Sequence, residues 1–129
     1  GEALFRQIPA LQKERTRFYE EHFSDFIKLR CTVVFAVSDY YALEFMRFLQ
    51  VKGVRIPEDV QIIGFDDIAA SRESIPALTT IHQDAAQRAK TAIACLEAMR
   101  SGSACDTRVV LPVSLICRES TRELPCQTL

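Results

Sequence analysis

Two polar clusters stand where apolar runs end. Val33–Val37 gives way to Ser38 and Asp39, and Val60–Phe65 gives way to Asp66 and Asp67. Carboxylates beside a hydroxyl accept paired hydrogen bonds from adjacent hydroxyls, and that chemistry suits a neutral polyhydroxylated ligand better than an anion. Each run is uncharged, rich in β-branched or aromatic residues and too short for a buried helix, which is how a central strand of a parallel sheet reads. A helical pattern lies between them, so the unit is strand, helix, strand, and the right-handed crossover rule sets both strand exits on one edge of one sheet. Ligands of open α/β sheets bind outside those carboxyl ends, which makes Ser38, Asp39, Asp66 and Asp67 the first candidate site. Each also has a structural reading. A helix N-cap belongs at Ser38 or Asp39, and Asp67 could serve as a turn former or cap for a short helix starting near Ala69. Adjacent carboxylates repel, so two ionised acids at one strand exit need donors close by: ligand hydroxyls, backbone N–H groups or an arginine.

Other chemistries lack their parts. The four glycines, at 1, 53, 64 and 102, form no G-x-G-x-x-G or phosphate loop, and there is no G-x-S-x-G elbow. No catalytic residue and no cofactor are expected. The five cysteines, at 31, 95, 105, 117 and 126, follow no C-x-x-C spacing and read as buried or incidental thiols. His22 and His82 stand far apart without ligand-spaced neighbours, so no metal is expected. Acids at strand ends can hold Mg²⁺ beside a phosphate in receiver-like or phosphatase-like enzymes, but no lysine follows a third strand in a matching place. A chain of 129 residues, 48% hydrophobic and 26% charged with a formal net charge of -1, has the proportions of one domain or part of one. That charge leaves no electrostatic footprint for a phosphate backbone. No apolar run approaches the roughly 20 residues of a membrane span, and the start lacks the order of a signal peptide, so a cytoplasmic location is expected.

The surrounding elements must hold that edge. Leu11 to about Leu29 reads as an amphipathic helix with Phe18, His22 or Phe23, Phe26 and Ile27 inward, and with Lys13, Glu14, Arg15, Arg17, Glu20, Glu21 and Lys28 on a solvated face. The first strand is expected from about Cys31 to Val37. The helix from Tyr40 to Lys52 carries an apolar surface (Leu43, Phe45, Met46, Phe48, Leu49) wider than one core stripe, ending at a C′ glycine, Gly53. That surface suits either a second subunit or burial on several sides. Gly64 allows close approach at the strand end. Leu78–His82 reads as a third strand. Asp84 and Gln87 form a capping-box pattern for a helix whose buried stripe is Ala86, Ala89, Ile93, Leu96 and Met99 and which stops at Ser101-Gly102. Arg108–Cys117 is strand-like, with Pro112 confining it to an edge, and Arg118–Thr121 reads as solvated.

Four stretches in fixed order carry a family resemblance: Val33–Leu43; Lys52–Asp67, with its G-F-D-D; Ile75–Gln83, with P-x-L-T-T-I; and Leu111–Thr121, with R-E-S-T. Over roughly residues 17 to 122 the chain resembles the C-terminal part of LacI/GalR-family transcriptional regulators. The resemblance implies a periplasmic-binding-protein-like, Rossmann-like α/β lobe with a parallel sheet, incomplete here. Residues 11–83 and 107–122 would form the C-lobe, and 84–102 a helix that belongs to the N-lobe in the family and that would here pack on a neighbouring copy, swing away or be poorly ordered. It also implies a homodimer that takes a small-molecule effector, a sugar or sugar derivative, and binds operator DNA only through an N-terminal helix-turn-helix outside this chain. The family's effector contacts fall on Ser38 and Asp66, with Asp39 beside them, although many members have Asn where this chain has Ser38. The dimer surface maps to Leu43, Met46 and Arg47 and to the loop at Glu73, Ser74 and Ile75. A solute-binding protein of a sugar transporter would share the fold and the strand-exit site.

Overall fold

A computed structural model describes residues 4–106 and 108–122. Cys126 lies outside them. The elements run α1 (Gln12–Lys28), β1 (Val33–Phe35), α2 (Asp39–Val51), β2 (Gln61–Asp66), α3 (Ala69–Glu73), β3 (Thr79–Gln83), α4 (Ala85–Ser101) and β4 (Val113–Ile116). Sheet order is β1-β2-β3-β4; β1, β2 and β3 are parallel and β4 is antiparallel to β3.

The core sits between α2 and one face of the sheet. Ala42, Met46 and Leu49 from α2 meet Ile62, Leu78, Val60 and Ile56, with Val34 and Ala36 packed against them. Each fully buried Met, Leu or Ile contributes about 1.5–3 kcal/mol relative to exposure, so this cluster is a large term in holding α2 to the sheet. The wide apolar surface of α2 divides into two. One strip lies on the sheet, while Phe45 and Phe48 stack beneath α1 against Tyr19, Phe23 and Phe26 at ring separations of 5.1–5.7 Å. Gly53 closes α2 with φ +79°, as a C′ glycine should.

Several expectations need correction. Arg15 is not on a solvated face: it is 2% exposed, pairs through Nε and Nη2 with both oxygens of Glu44, and donates to the carbonyls of Pro9 and Ala10. The inward stripe of α1 therefore begins at Arg15 and Tyr19, and His22 is exposed, stacked on Phe18 at 4.1 Å. β1 is shorter than Cys31–Val37 and pairs, among the described residues, with β2 alone, so it is an edge strand and not a central one; Val33 and Phe35 face outward. The last strand covers Val113–Ile116 only, because Pro112 cannot donate to the ladder.

Asp84 accepts from Gln87 N–H at the start of α4, but the Gln87 amide turns to Thr91, so half of the capping box forms. The predicted buried stripe of α4 is exposed: Ile93, Leu96 and Met99 are all more than half open, and the half-buried side carries Thr91, Cys95 and Ala98. No described element packs across the predicted stripe deeply enough to bury a residue of α4. Finally, Arg118–Thr121 is not solvated. Ser120 is fully buried: its carbonyl accepts from Ile62 N–H, its hydroxyl accepts from Thr79 N–H and donates to Ile62 O, and its own N–H donates to Ala77 O. The R-E-S-T segment thereby satisfies the backbone groups left open where β2 and β3 begin.

Candidate functional site

The register places the two candidate exits side by side. Phe35 is level with Ile63, Asp66 with His82, and Ala36 N–H still donates to Ile63 O, so Ser38, Asp66 and Gln83 leave the sheet on the same edge. Ser38 is the N-cap of α2, with extended backbone and its Oγ accepting from Tyr41 N–H at 3.5 Å. It stays half-exposed.

Asp39 does not face the open edge. It is fully buried, and both oxygens are taken: Oδ1 accepts from Thr80 Oγ at 2.5 Å, and Oδ2 accepts from Ser71 Oγ at 2.6 Å and Ile68 N–H at 3.0 Å. A carboxylate with three internal donors and no exposure presents no oxygen to a ligand, so its expected place among the effector contacts gives way to a structural one. It ties α2 to β3 and to the start of α3. Gly64 makes this possible, because a Cβ there would stand 2.1 Å from Asp39 Oδ1.

Asp66 and Asp67 divide the work. Both have left-handed backbone, with φ +115° and +54°, which turns the chain sharply at the end of β2; +115° is a conformation that non-glycine residues rarely take. Asp67 points inward. Its side chain is 6% exposed; Oδ1 accepts from Arg118 Nη2 at 2.5 Å, while His82 Nδ1 at 3.0 Å and Arg72 Nη2 at 3.4 Å reach Oδ2. Burial pushes this carboxyl up, but the hydrogen bonds from Arg118 and His82 and the charges of Arg118 and Arg72 outweigh it and hold the group below the ordinary carboxylate range. Asp67 is thus the hub of an ion-pair cluster and not the cap of α3, whose N-cap is Ile68 with no side-chain bond.

Asp66 is the half-exposed acid of the pair. Gln83 Nε2 donates to its Oδ1 at 2.5 Å, and Oδ2 has no protein partner among the described residues. Gln83 is itself oriented by Arg88, which donates to its Oε1 at 2.7 Å. The arrangement offers one free carboxylate oxygen, an adjacent amide and a nearby hydroxyl at a sheet edge, a set suited to hydrogen-bonding ligand hydroxyls. Among the described residues no cluster of three or more His, Cys, Asp or Glu could hold a metal.

A second surface takes shape away from this edge. Leu43, Met46, Arg47, Glu73, Ser74 and Ile75, joined by Gln50 and Ala70, line one open groove of about 340 Å³ between α2 and the turn after α3. Met46 is its buried floor, and Ile75 is 86% exposed on its rim. Gln50 Nε2 fixes that rim by donating to Ile75 O at 2.7 Å.

The residues that sequence reasoning missed are Arg118, His82, Thr80, Ser71 and Gln83. One signal was available for Thr80: consecutive threonines in a buried strand must place one hydroxyl on each face, and each then needs a partner.

Comparison with known proteins agrees with the geometry. The periplasmic binding protein-like domain model matches residues 6–121. The ribose operon repressor of Lactococcus lactis is 36% identical over 91 residues, covering 70% of this chain and 28% of that protein. Among solved structures, the lac repressor dimer bound to operator and the anti-inducer ONPF superposes with a TM-score of 0.73 at 31% identity, over 81% of this chain and 36% of that one. A periplasmic binding protein/LacI transcriptional regulator from Alkaliphilus metalliredigens complexed with D-xylulofuranose gives 0.70 at 34% identity, over 80% and 38%. The chain thus spans well under half the length of these relatives. With the strand-exit acids, the sheet order and these matches together, the chain belongs to the periplasmic binding protein-like domain family, in the form carried by LacI-type transcriptional regulators.

Proposed function

We propose that this chain is the effector-binding and dimerisation portion of a cytoplasmic LacI-type repressor. Its effector is a small sugar or sugar derivative, and it acts on operator DNA through a helix-turn-helix outside these residues. One observation carries the effector reading: Asp66 stands partly exposed at the strand edge with one oxygen oriented by Gln83 and the other without a partner among the described residues. Asp66 accepts hydrogen bonds from effector hydroxyls, Ser38 contributes its hydroxyl from the neighbouring exit, and Asp39 and Asp67 position the two without touching the ligand. Residues 11–83 and 107–122 form one lobe, and the helix of 84–102 belongs to a second lobe, a reading supported by its exposed apolar stripe. An effector then acts by its different affinity for the two lobe arrangements, relayed through the dimer.

Two measurements test this. Titrating the 129-residue chain with neutral pentoses and hexoses while recording amide NMR spectra should move the signals of Ser38, Asp66 and Gln83 saturably, and Asp66→Ala should abolish the response while leaving the fold intact. Equal responses in wild type and variant would refute the assignment. For the dimer, Ile75→Asp on the rim of the α2 groove should convert the intact regulator to a monomer in sedimentation velocity, and an unchanged dimer would exclude this groove as the contact.

A further inference from the structure

We propose that Cys95 and Cys105 form a thiol modification site, a dithiol pair that a low-molecular-weight disulfide such as glutathione disulfide closes into a bond between α4 and the segment leading to β4. Cys95 lies on the half-buried side of α4, and Cys105 follows the helix's C-cap glycine, Gly102. Gly102 has φ +70°, and Ser103 N–H donates to Ala98 O, so the chain doubles back along the last turns of the helix.

Both thiols then aim at one acceptor. Cys95 Sγ lies 4.0 Å and Cys105 Sγ 3.4 Å from the carbonyl oxygen of Asp106. The shared acceptor sets the two sulfurs on the same side of α4, where Cys95 and Asp106 line an open cavity of about 230 Å³ with Val109 and Leu111. Interaction with Cys95, then burial, pushes the Cys105 thiol above its ordinary value. Cys31, by contrast, donates to Val33 O within its own loop, and Cys117 is exposed. The pair also sits where support is scarce, since α4 buries no residue of its own.

The chemistry balances as two exchange steps. A thiolate of the pair attacks one sulfur of glutathione disulfide; a mixed disulfide forms, the glutathione S–S bond breaks, and one glutathione thiolate leaves and takes up the proton lost at the start. The second thiol, giving up its proton, attacks the protein sulfur of the mixed disulfide. The Cys95–Cys105 bond forms and the second glutathione leaves as thiol.

The test uses the full 129-residue chain equilibrated in reduced and oxidised glutathione, quenched with an alkylating agent and digested with trypsin. Cleavage after Lys90, Arg100 and Arg108 puts the two cysteines on separate peptides, 91–100 and 101–108. We expect these peptides to be joined, to outnumber any other cysteine pairing by about tenfold, and to require about tenfold more oxidising buffer when the chain is unfolded in urea. A C31S/C117S/C126S variant should give the same link. Three outcomes would overturn the proposal: the two peptides recovered alkylated and separate, Cys95 or Cys105 joined to other cysteines as often as to each other, or the same midpoint in buffer and in urea.

Discussion

Replacing Gly64 by alanine tests the most connected part of this lobe. The new methyl would stand 2.1 Å from Asp39 Oδ1, 3.0 Å from Leu78 Cδ2 and 3.2 Å from Asp39 Cα. The carboxylate must retreat by about 1 Å to reach even a tight contact, and it has nowhere to go, because Asp39 is fully buried and its Oδ1 is held by Thr80 while Oδ2 is held by Ser71 and Ile68. Losing the Thr80 bond and loosening the other two removes hydrogen bonds to a charged group, worth about 1.5–3 kcal/mol each, and leaves a buried carboxylate short of donors. A total loss of about 3–5 kcal/mol is expected, a large fraction of the roughly 5–15 kcal/mol that holds a domain of this size together. Urea denaturation followed by circular dichroism would measure it. The double variant Gly64→Ala/Asp39→Ala separates this cause from a general intolerance of alanine in β2, because removing the carboxylate removes the 2.1 Å clash and leaves only the tight contacts with Leu78 Cδ2 and Asp39 Cα, so the two costs should be strongly non-additive. A loss under about 1 kcal/mol for Gly64→Ala, or simple additivity in the cycle, would refute the argument.

Two further predictions concern ionised pairs. Arg118→Met keeps the bulk of the side chain but deprives Asp67 and Leu78 O of their donor, and should cost about 2–3 kcal/mol at pH 7 by urea denaturation. Because Asp67 has a depressed folded value, that advantage of wild type is present above the ordinary carboxylate range and fades as pH falls below about 4; a gap that stays constant into acid would contradict the pairing. At the turn before β2, Asp59 is held down to about 2 by the side-chain hydrogen bond of Arg55 and then by its backbone N–H. An NMR titration should find that low midpoint, and Arg55→Ala should return it toward the ordinary range; a midpoint near 4 in the wild type would be inconsistent with the bond.

How far the site can be read before folding depends on the range of the interaction. Ser38 capping α2, Asp84 capping α4 and the glycines at 53 and 102 are local matters, decided within a turn of helix, and their residue types announce them. The six residues expected at a dimer contact line one groove because the family pattern already joined α2 to the loop after α3. The adjacent acids were harder. Their mutual repulsion announced a need for donors, yet nothing within a few residues told which acid would receive them. α4 misled for a related reason: its three-four spacing describes a face that wants a partner, and periodicity does not reveal whether one is present.

Short uncharged apolar runs, turn residues and caps, each governed by neighbours a few positions away, determined the strand-helix-strand unit, the shared edge of the strand exits and the order of the elements. Only tertiary structure decided which carboxylates stay free. Asp39 is closed by groups 29 to 41 positions away and Asp67 by an arginine 51 positions away, leaving Asp66 with an oxygen that has no partner among the described residues. The physical reason is that a carboxylate's availability is a count of donors within hydrogen-bond reach, and that count exists only once distant segments have been packed against it.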